Sequence, residues 1–273
     1  MTPPPPAPAR PGAPGTHARL VHALGSRIAS GELAAGSVLT LAGLEDEHDA
    51  SRTTVREAVR VLESLDLVRS RRRVGITVQP RSAWRVLDAQ LIRWTLAGPL
   101  RHAQLVELVE LRTALEPAAA RLAARHATDE QRAALVRLAT ELDRLGRAGL
   151  GDSAGYLAVD VEFHTLLLSA GGNLLYAELA APVREVLQGR VELGLTPAVP
   201  SPGTLDAHLA AARAVAAGDG EAAERHVRAH LAIIGDEVHA GHDAAEPRGG
   251  AGAVGGLPAP PPLPPAGQHG ADV

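Results

Sequence analysis

The chain has no cysteine and no lysine, and aromatic residues make up only 2% of its 273 positions. Without cysteine, neither disulfides nor thiolate metal sites can form, and the redox compartment is left unspecified. Without lysine, all 27 basic residues are arginine. That bias is expected of a GC-rich genome, so an arginine-only cluster does not by itself record chemical selection. With so few aromatics, the core must come from Leu, Ala and Val within a 45% hydrophobic composition, which suits close-packed helices better than sheets. No uninterrupted apolar run approaches about 18 residues, which argues against a membrane span. The proline-rich start lacks the apolar stretch of a secretion signal, and a cytoplasmic location is expected. The length allows two domains. Residues 1–15 and 243–273, rich in Gly, Pro and Ala, are expected to be disordered tails.

Residues 51–80, SRTTVREAVRVLESLDLVRSRRRVGITVQP, carry the strongest functional signal. Ser51 is a good N-cap, and Val55, Val59 and Leu62 recur at helical spacing. That leaves Arg52, Thr53, Thr54, Arg56 and Arg60 off the packed face. Arginine suits guanine edges, threonine suits phosphates and thymine methyls, and the first helical turn offers free amides to a phosphate. After the helix, two short apolar segments flank the basic run Arg69–Arg73, as in a hairpin with a cationic turn. Any wet helix face can carry an arginine, and Arg60 alone means little. Between Ser51 and Arg73, however, seven arginines face only Glu57, Glu63 and Asp66, in a chain whose net charge is −4. So concentrated a patch fits phosphate binding.

The segment SRTTVREAV at Ser51–Val59 resembles the signature of the GntR family of bacterial winged-helix transcription regulators. The resemblance extends upstream through Leu20–Ile28, the connecting SGELAAG at Ser30–Gly36 and the helix at Thr40–His48, and downstream through the hairpin. It implies an N-terminal winged helix-turn-helix of three helices plus a β-hairpin wing, spanning 16–80. Arg52, Thr53, Thr54 and Arg56 would then touch DNA together with Arg72 and Arg73 of the wing, and Gly75 would let the wing approach the minor groove. Two departures bear on which operator is read: LAGLEDEH lacks a basic residue near its start, and Asp49 stands where a turn glycine is usual.

Trp84, Leu87, Leu91 and Trp94 keep helical spacing before Gly98-Pro99, so 81–99 reads as a linker helix. From 100 to 242 the pattern is helical almost throughout. Candidate helices run over 105–125, 129–147, 153–170, 174–189, 203–217 and 220–240, separated by Gly-, Pro- and Asn-rich breaks. Short connections make this a mainly α, antiparallel six-helix or seven-helix bundle. Strands do not alternate with helices, which excludes a nucleotide-binding sheet.

Within the bundle, Asp160 and His164 lie four apart on one helix face, so a carboxylate and an imidazole can converge on one metal ion. The pair alone is as well explained by a surface ion pair. His208 and His230, however, also stand on mainly apolar stripes, where an unpaired histidine is costly. Together these residues point to a shared site. They match the FadR-like branch of the same family, whose all-helical C-terminal (FCD) domain often holds a divalent metal through one Asp and three His. By that resemblance Asp160, His164, His208 and His230 are the ligands. Arg112 would bind an effector carboxylate bidentately and Asn173 would join the effector site. His226, one turn before His230, competes with it on spacing. Zinc suits the ligand set, with nickel or manganese as alternatives.

Three readings follow. The first is a homodimeric repressor binding double-stranded operator DNA and released by a small carboxylate; the resemblance of the linker to regulators of sugar-acid catabolism favours gluconate or galactonate. The second is a metal-dependent hydrolase with an attached DNA-binding module, disfavoured because HExxH-type spacing is absent. The third is a regulator that binds an apolar acyl ligand without metal.

Overall fold

A computed structural model of the chain describes residues 15–245. The tails expected at 1–15 and 243–273 lie outside the described residues, except for Gly15 and the last turn of the final helix.

Helices α1 (Thr16–Ala29), α2 (Leu41–His48) and α3 (Arg52–Ser64) form the N-terminal head, with strands β1 (Val38–Leu39), β2 (Val68–Arg71) and β3 (Gly75–Val78). The three strands make an antiparallel sheet in the order β1-β3-β2, and Arg71 faces Gly75 at the mouth of the hairpin. Apolar residues at helical spacing explain the packing: Leu20, Leu24 and Ile28 of α1 meet Val55, Val59 and Leu62 of α3, and Leu67, Ile76 and Val78 close the core from below. Local caps fix the helix starts, the Thr40 hydroxyl accepting from the Gly43 amide and the Ser51 hydroxyl from the Thr54 amide. Asp49 takes the left-handed conformation (φ 46°) that the α2–α3 turn demands, which a short polar side chain tolerates better than most.

The linker departs from expectation. Residues 81–99 do not form one helix; a 3-10 turn at Arg81–Ala83 and a further turn in which the Asp88 amide donates to the Arg85 carbonyl precede α4, which covers only Ala89–Leu96. Two local interactions win over the helical period. Trp84 is tied back to the head, its indole N–H donating to the Gln79 carbonyl, and the Asp88 carboxylate accepts from the Gln90 and Leu91 amides and starts the helix there. Leu87 is left 47% exposed.

The short α4 joins the two halves of the molecule. Leu91 and Trp94 belong to the core of the head, whereas Ile92 and Leu96 pack with Leu105, Leu108 and Val186 of the helical domain. The Trp94 ring lies so close under α1 that a Cβ on Gly25 would stand 2.3 Å from it, and its N–H donates to His22 Nδ1 at 2.9 Å.

The helical domain comprises α5 (Arg101–His126), α6 (Asp129–Arg147), α7 (Ala154–Ser169), α8 (Leu174–Glu178), α9 (Ala180–Glu192), α10 (Pro202–Ala217) and α11 (Gly220–Ala245). The single helix expected over 174–189 is broken at Leu179. Pro182 supplies the reason: it has no N–H to donate to residue 178, and its ring would crowd that carbonyl. Small side chains let the helices approach closely, with Ala120, Ala123 and Ala124 of α5 packed against Ala211, Ala212 and Val227. Polar side chains converge where α5, α7, α10 and α11 meet.

Candidate metal centre and nucleic-acid interface

On the head, α3 presents Arg52, Thr53 and Arg56 to solvent. Thr54 is half-buried and lies against the cap, its hydroxyl 2.9 Å from that of Ser51. Arg60 is drawn to Glu57 at 2.7 Å, whereas Arg56, Arg71, Arg72 and Arg73 make no ion pair among the described residues. Arg56 and Arg60 of α3, with Arg71 and Arg73 of the hairpin, line one groove between the helix and the wing. The Glu63 carboxylate accepts from the Ser70 amide at 2.7 Å, which pins the wing to α3. Gly75 has an internal reason for being glycine. Its φ is 113°, and a Cβ would sit 2.8 Å from the Leu39 carbonyl of β1.

The buried site draws on three helices. Helix α7 carries Asp160 and His164, α10 carries His208 and α11 carries His230. One ring nitrogen from each histidine falls within 4.8 Å of the others, and all three residues are buried. His226 is not in this group; of the two spacing-compatible histidines, His230 is the one the fold brings in. The Asp160 Oδ1 atom is 3.5 Å from Nε2 of both His164 and His208, and those two nitrogens are 3.4 Å apart.

Hydrogen-bond accounting shows what such a cluster needs. His208 Nδ1 lies 2.9 Å from the Thr204 carbonyl, which can only accept, so the proton is on Nδ1. His164 Nδ1 lies 2.9 Å from Glu116 Oε2 and is protonated for the same reason. Both Nε2 lone pairs therefore face each other and the Asp160 carboxylate. Asp160 Oδ1 and His230 Nδ1 are buried without a hydrogen-bond partner. Acceptors facing acceptors call for a positive charge between them, a proton or a metal ion. Around an ion with bonds of about 2.1 Å, tetrahedral ligands stand about 3.4 Å apart, close to the 3.4 and 3.5 Å separations among Asp160, His164 and His208. The residues therefore fit a divalent metal, with Glu116 and Thr204 orienting the imidazoles behind it.

Two shifts favour a positive charge among these groups. Burial opposes a charge on His164, yet the Glu116 carboxylate raises its pKa above the ordinary value, and burial opposes ionisation of Asp160, yet hydrogen bonds and charge from His164 and His208 hold its carboxyl well below the usual range. Burial likewise opposes the charge on Glu116, but Arg112 and His164 bring its pKa down to about 2. Burial, with the neighbouring histidines, pushes His230 well below its ordinary value and keeps it a neutral ligand.

The two effector residues expected from sequence lie elsewhere. Arg112 is 2% exposed and its Nε meets Glu116 Oε1 at 2.5 Å. Its Nη2 lies 3.3 and 3.4 Å from the two ring nitrogens of His164, across the imidazole rather than along one lone pair. Arg112 thus stands behind His164 and does not line the cavity beside the ligands. Asn173 caps α8, accepting from the Leu175 amide, and does not line it either. Besides the ligands, the polar groups that do are Arg190, Glu237, Tyr156, Thr196 and Thr204, none given a site role from the sequence. Arg190 was detectable in principle as a charge set among Val186, Leu187 and Val191.

Comparison with known proteins gives two family matches: the FCD domain over residues 107–232 and bacterial regulatory proteins of the gntR family over residues 16–78. An uncharacterized HTH-type transcriptional regulator of Escherichia coli (strain K12), YieP, is 30% identical over 213 residues, covering 78% of this chain and 90% of that one. The galactonate operon transcriptional repressor of the same bacterium is 29% identical over 209 residues, covering 76% and 90%. The solved structure of Lar, described as controlling expression of the agr system of Listeria monocytogenes, superposes with a TM-score of 0.52 at 17% identity, covering 85% of this chain and 99% of that one, a likeness of fold.

Proposed function

The chain belongs to the gntR family of bacterial regulatory proteins, with an FCD domain behind its DNA-binding head, and from that premise we propose that it is a homodimeric repressor released by a small carboxylate. The family consists of transcriptional regulators, and the hydrolase reading is set aside on that ground. Arg52, Thr53, Thr54 and Arg56 enter the major groove while Arg72 and Arg73 grip the flanking backbone. Two heads then span successive grooves of a near-palindromic operator.

The observation that carries the sensing half is the cluster of Asp160, His164, His208 and His230, of which Asp160, His208 and His230 line a cavity. The four residues hold a divalent ion, zinc by the softness of imidazole and carboxylate ligands, with nickel and manganese as alternatives. When bound, the ion supplies a positive charge and open coordination positions for a carboxylate. A sugar acid is the favoured effector because a 29% identical relative is named for the galactonate operon. The free space beside the ligands is about 20 Å³, room for one water. A sugar acid therefore enters only when the loop between α9 and α10, which closes the cavity with Pro197 and Pro200, draws back. No helix among the described residues is long and apolar enough to cross a membrane.

The test pairs elemental analysis with an operator titration for the wild type and a His208→Ala/His230→Ala variant, with and without galactonate and gluconate. One metal per chain, lost in the variant together with the effector response while bare operator binding persists, is the expected result. A metal-free wild type, or a response unchanged in the variant, removes the metal from the mechanism.

A further inference from the structure

We propose that Arg190 is the residue that takes the effector's carboxylate, and that Glu237 beside it selects hydroxylated acids over plain ones. This rests on the effector reading above. Arg190 is 5% exposed, lines the same cavity as Asp160, His208 and His230, and keeps a buried Nε with no hydrogen-bond partner. Its Nη2 donates to Glu237 Oε2 at 2.7 Å and, more weakly, to the Leu195 carbonyl at 3.4 Å. A guanidinium buried with a donor unused is expensive to maintain. A planar anion arriving from the cavity would meet that donor in the fork geometry arginine offers. Arg112 also keeps a buried donor without a partner, its Nη1, but it lies against Glu116 and His164 and does not line this cavity, so position and not the unused donor separates the two arginines.

Charge balance sets the valence of the guest. With a divalent ion in place, the carboxylates of Asp160 and Glu237 and the guanidinium of Arg190 leave one positive charge in the cavity wall, which a single carboxylate neutralises. Chemistry beyond the carboxylate is set by the rest of the wall. Glu237 is an acceptor that would repel a second anion but accept from a hydroxyl, and Tyr156, Thr196 and Thr204 line the same space. A monocarboxylate bearing hydroxyls satisfies this lining; an aliphatic acid leaves it unpaired.

The experiment is calorimetric titration of the zinc-loaded full-length protein with galactonate, gluconate, lactate, hexanoate and uncharged galactitol. Wild type, Arg190→Ala, Arg190→Lys and Glu237→Gln are compared, each checked for metal content. The expected result is binding of a hydroxylated acid but not of galactitol, weakened about 10-fold in Arg190→Lys and about 100-fold in Arg190→Ala, with reduced preference over hexanoate in Glu237→Gln. Wild-type affinity in Arg190→Ala overturns the assignment and leaves the effector reading standing. If Arg190→Ala loses its metal, Arg190→Lys decides, and unchanged affinity there overturns it. Wild-type protein that binds none of these acids sinks both readings, and a Glu237→Gln variant with unchanged selectivity removes the role of Glu237.

Discussion

In the DNA-binding head the candidate contact residues lie between Arg52 and Gly75, and their arginines face outward, several without an ionic partner among the described residues. In the helical domain the corresponding groups come from α5, α7, α9, α10 and α11, face inward, and are mostly paired, Glu116 alone contacting both Arg112 and His164. The head needs open, mobile cations, because a phosphate backbone is met from outside and its counterions are released to solvent. A metal centre of the kind proposed for the helical domain needs fixed ligands with a low reorganisation cost, and that requires burial and orientation by further hydrogen bonds. Between them, α4 gives one face to each core, and Arg81 of the 3-10 turn adds a second tie, to Gln104 and Glu107 of α5.

The harshest way to break this comparison is to overfill the joint. A Cβ at position 25 would stand 2.3 Å from the Trp94 ring, which is held on its other side by the core of the head. Gly25→Val is expected to cost about 3 kcal/mol of stability, read as a lowered midpoint in urea. It should also uncouple operator affinity from effector more than changes in either domain alone. A variant as stable as wild type would mean that α1 and α4 separate freely.

Next in size come changes that each region should feel alone. Glu116→Gln keeps the shape but weakens the acceptor that fixes the His164 ring, and is expected to lower metal affinity by about 10- to 100-fold with operator binding in the absence of effector unaltered. A chelator competition measures the first and a gel-shift titration the second. Equal metal affinity would place His164's orientation in the packing of Phe163, whose ring meets it edge-on. Arg56→Ala should do the reverse, costing about 2 kcal/mol, or roughly 30-fold, in specific operator affinity while metal content stays constant. Retention of operator affinity removes Arg56 from recognition.

The difference in architecture also explains what could be read from the sequence. The fold of the head was legible almost entirely, because its cap and apolar stripe are contiguous: Ser51 caps α3, Val55 is buried and Arg56 is exposed, as their spacing predicts. In the bundle, histidine at an apolar stripe marked His208 and His230, since its burial is unusual enough to need a reason. The groups that orient or surround the ligands were not legible. Glu116, Thr204, Arg190 and Glu237 are ordinary helix residues until tertiary packing turns them toward the same point, and nothing in local spacing encodes that convergence. The linker failed for the opposite reason: Trp84, Leu87 and Leu91 kept a helical period that Asp88, as an N-cap, overrode.

The smallest expected effect concerns the charge on the α4–α9 seam. Glu185 on α9 is 4% exposed and meets Arg93 of α4 at 2.6 Å, while one turn later Gly189 lets Leu96 press against the helix. Burial raises the Glu185 pKa, and the half-exposed Arg93 opposes that rise only in part, its charge being screened by solvent. An acid whose folded pKa is raised binds its proton more readily in the folded state, so its stabilising contribution is present at acid pH and lost as pH rises through that value. Glu185→Gln removes the titration while keeping the shape. The stability difference between wild type and variant should therefore move in favour of the wild type as pH falls from neutrality into the carboxylate range, followed by thermal melts of the metal-loaded protein at matched ionic strength. A difference that is flat with pH would mean that Arg93 fully compensates the burial of Glu185.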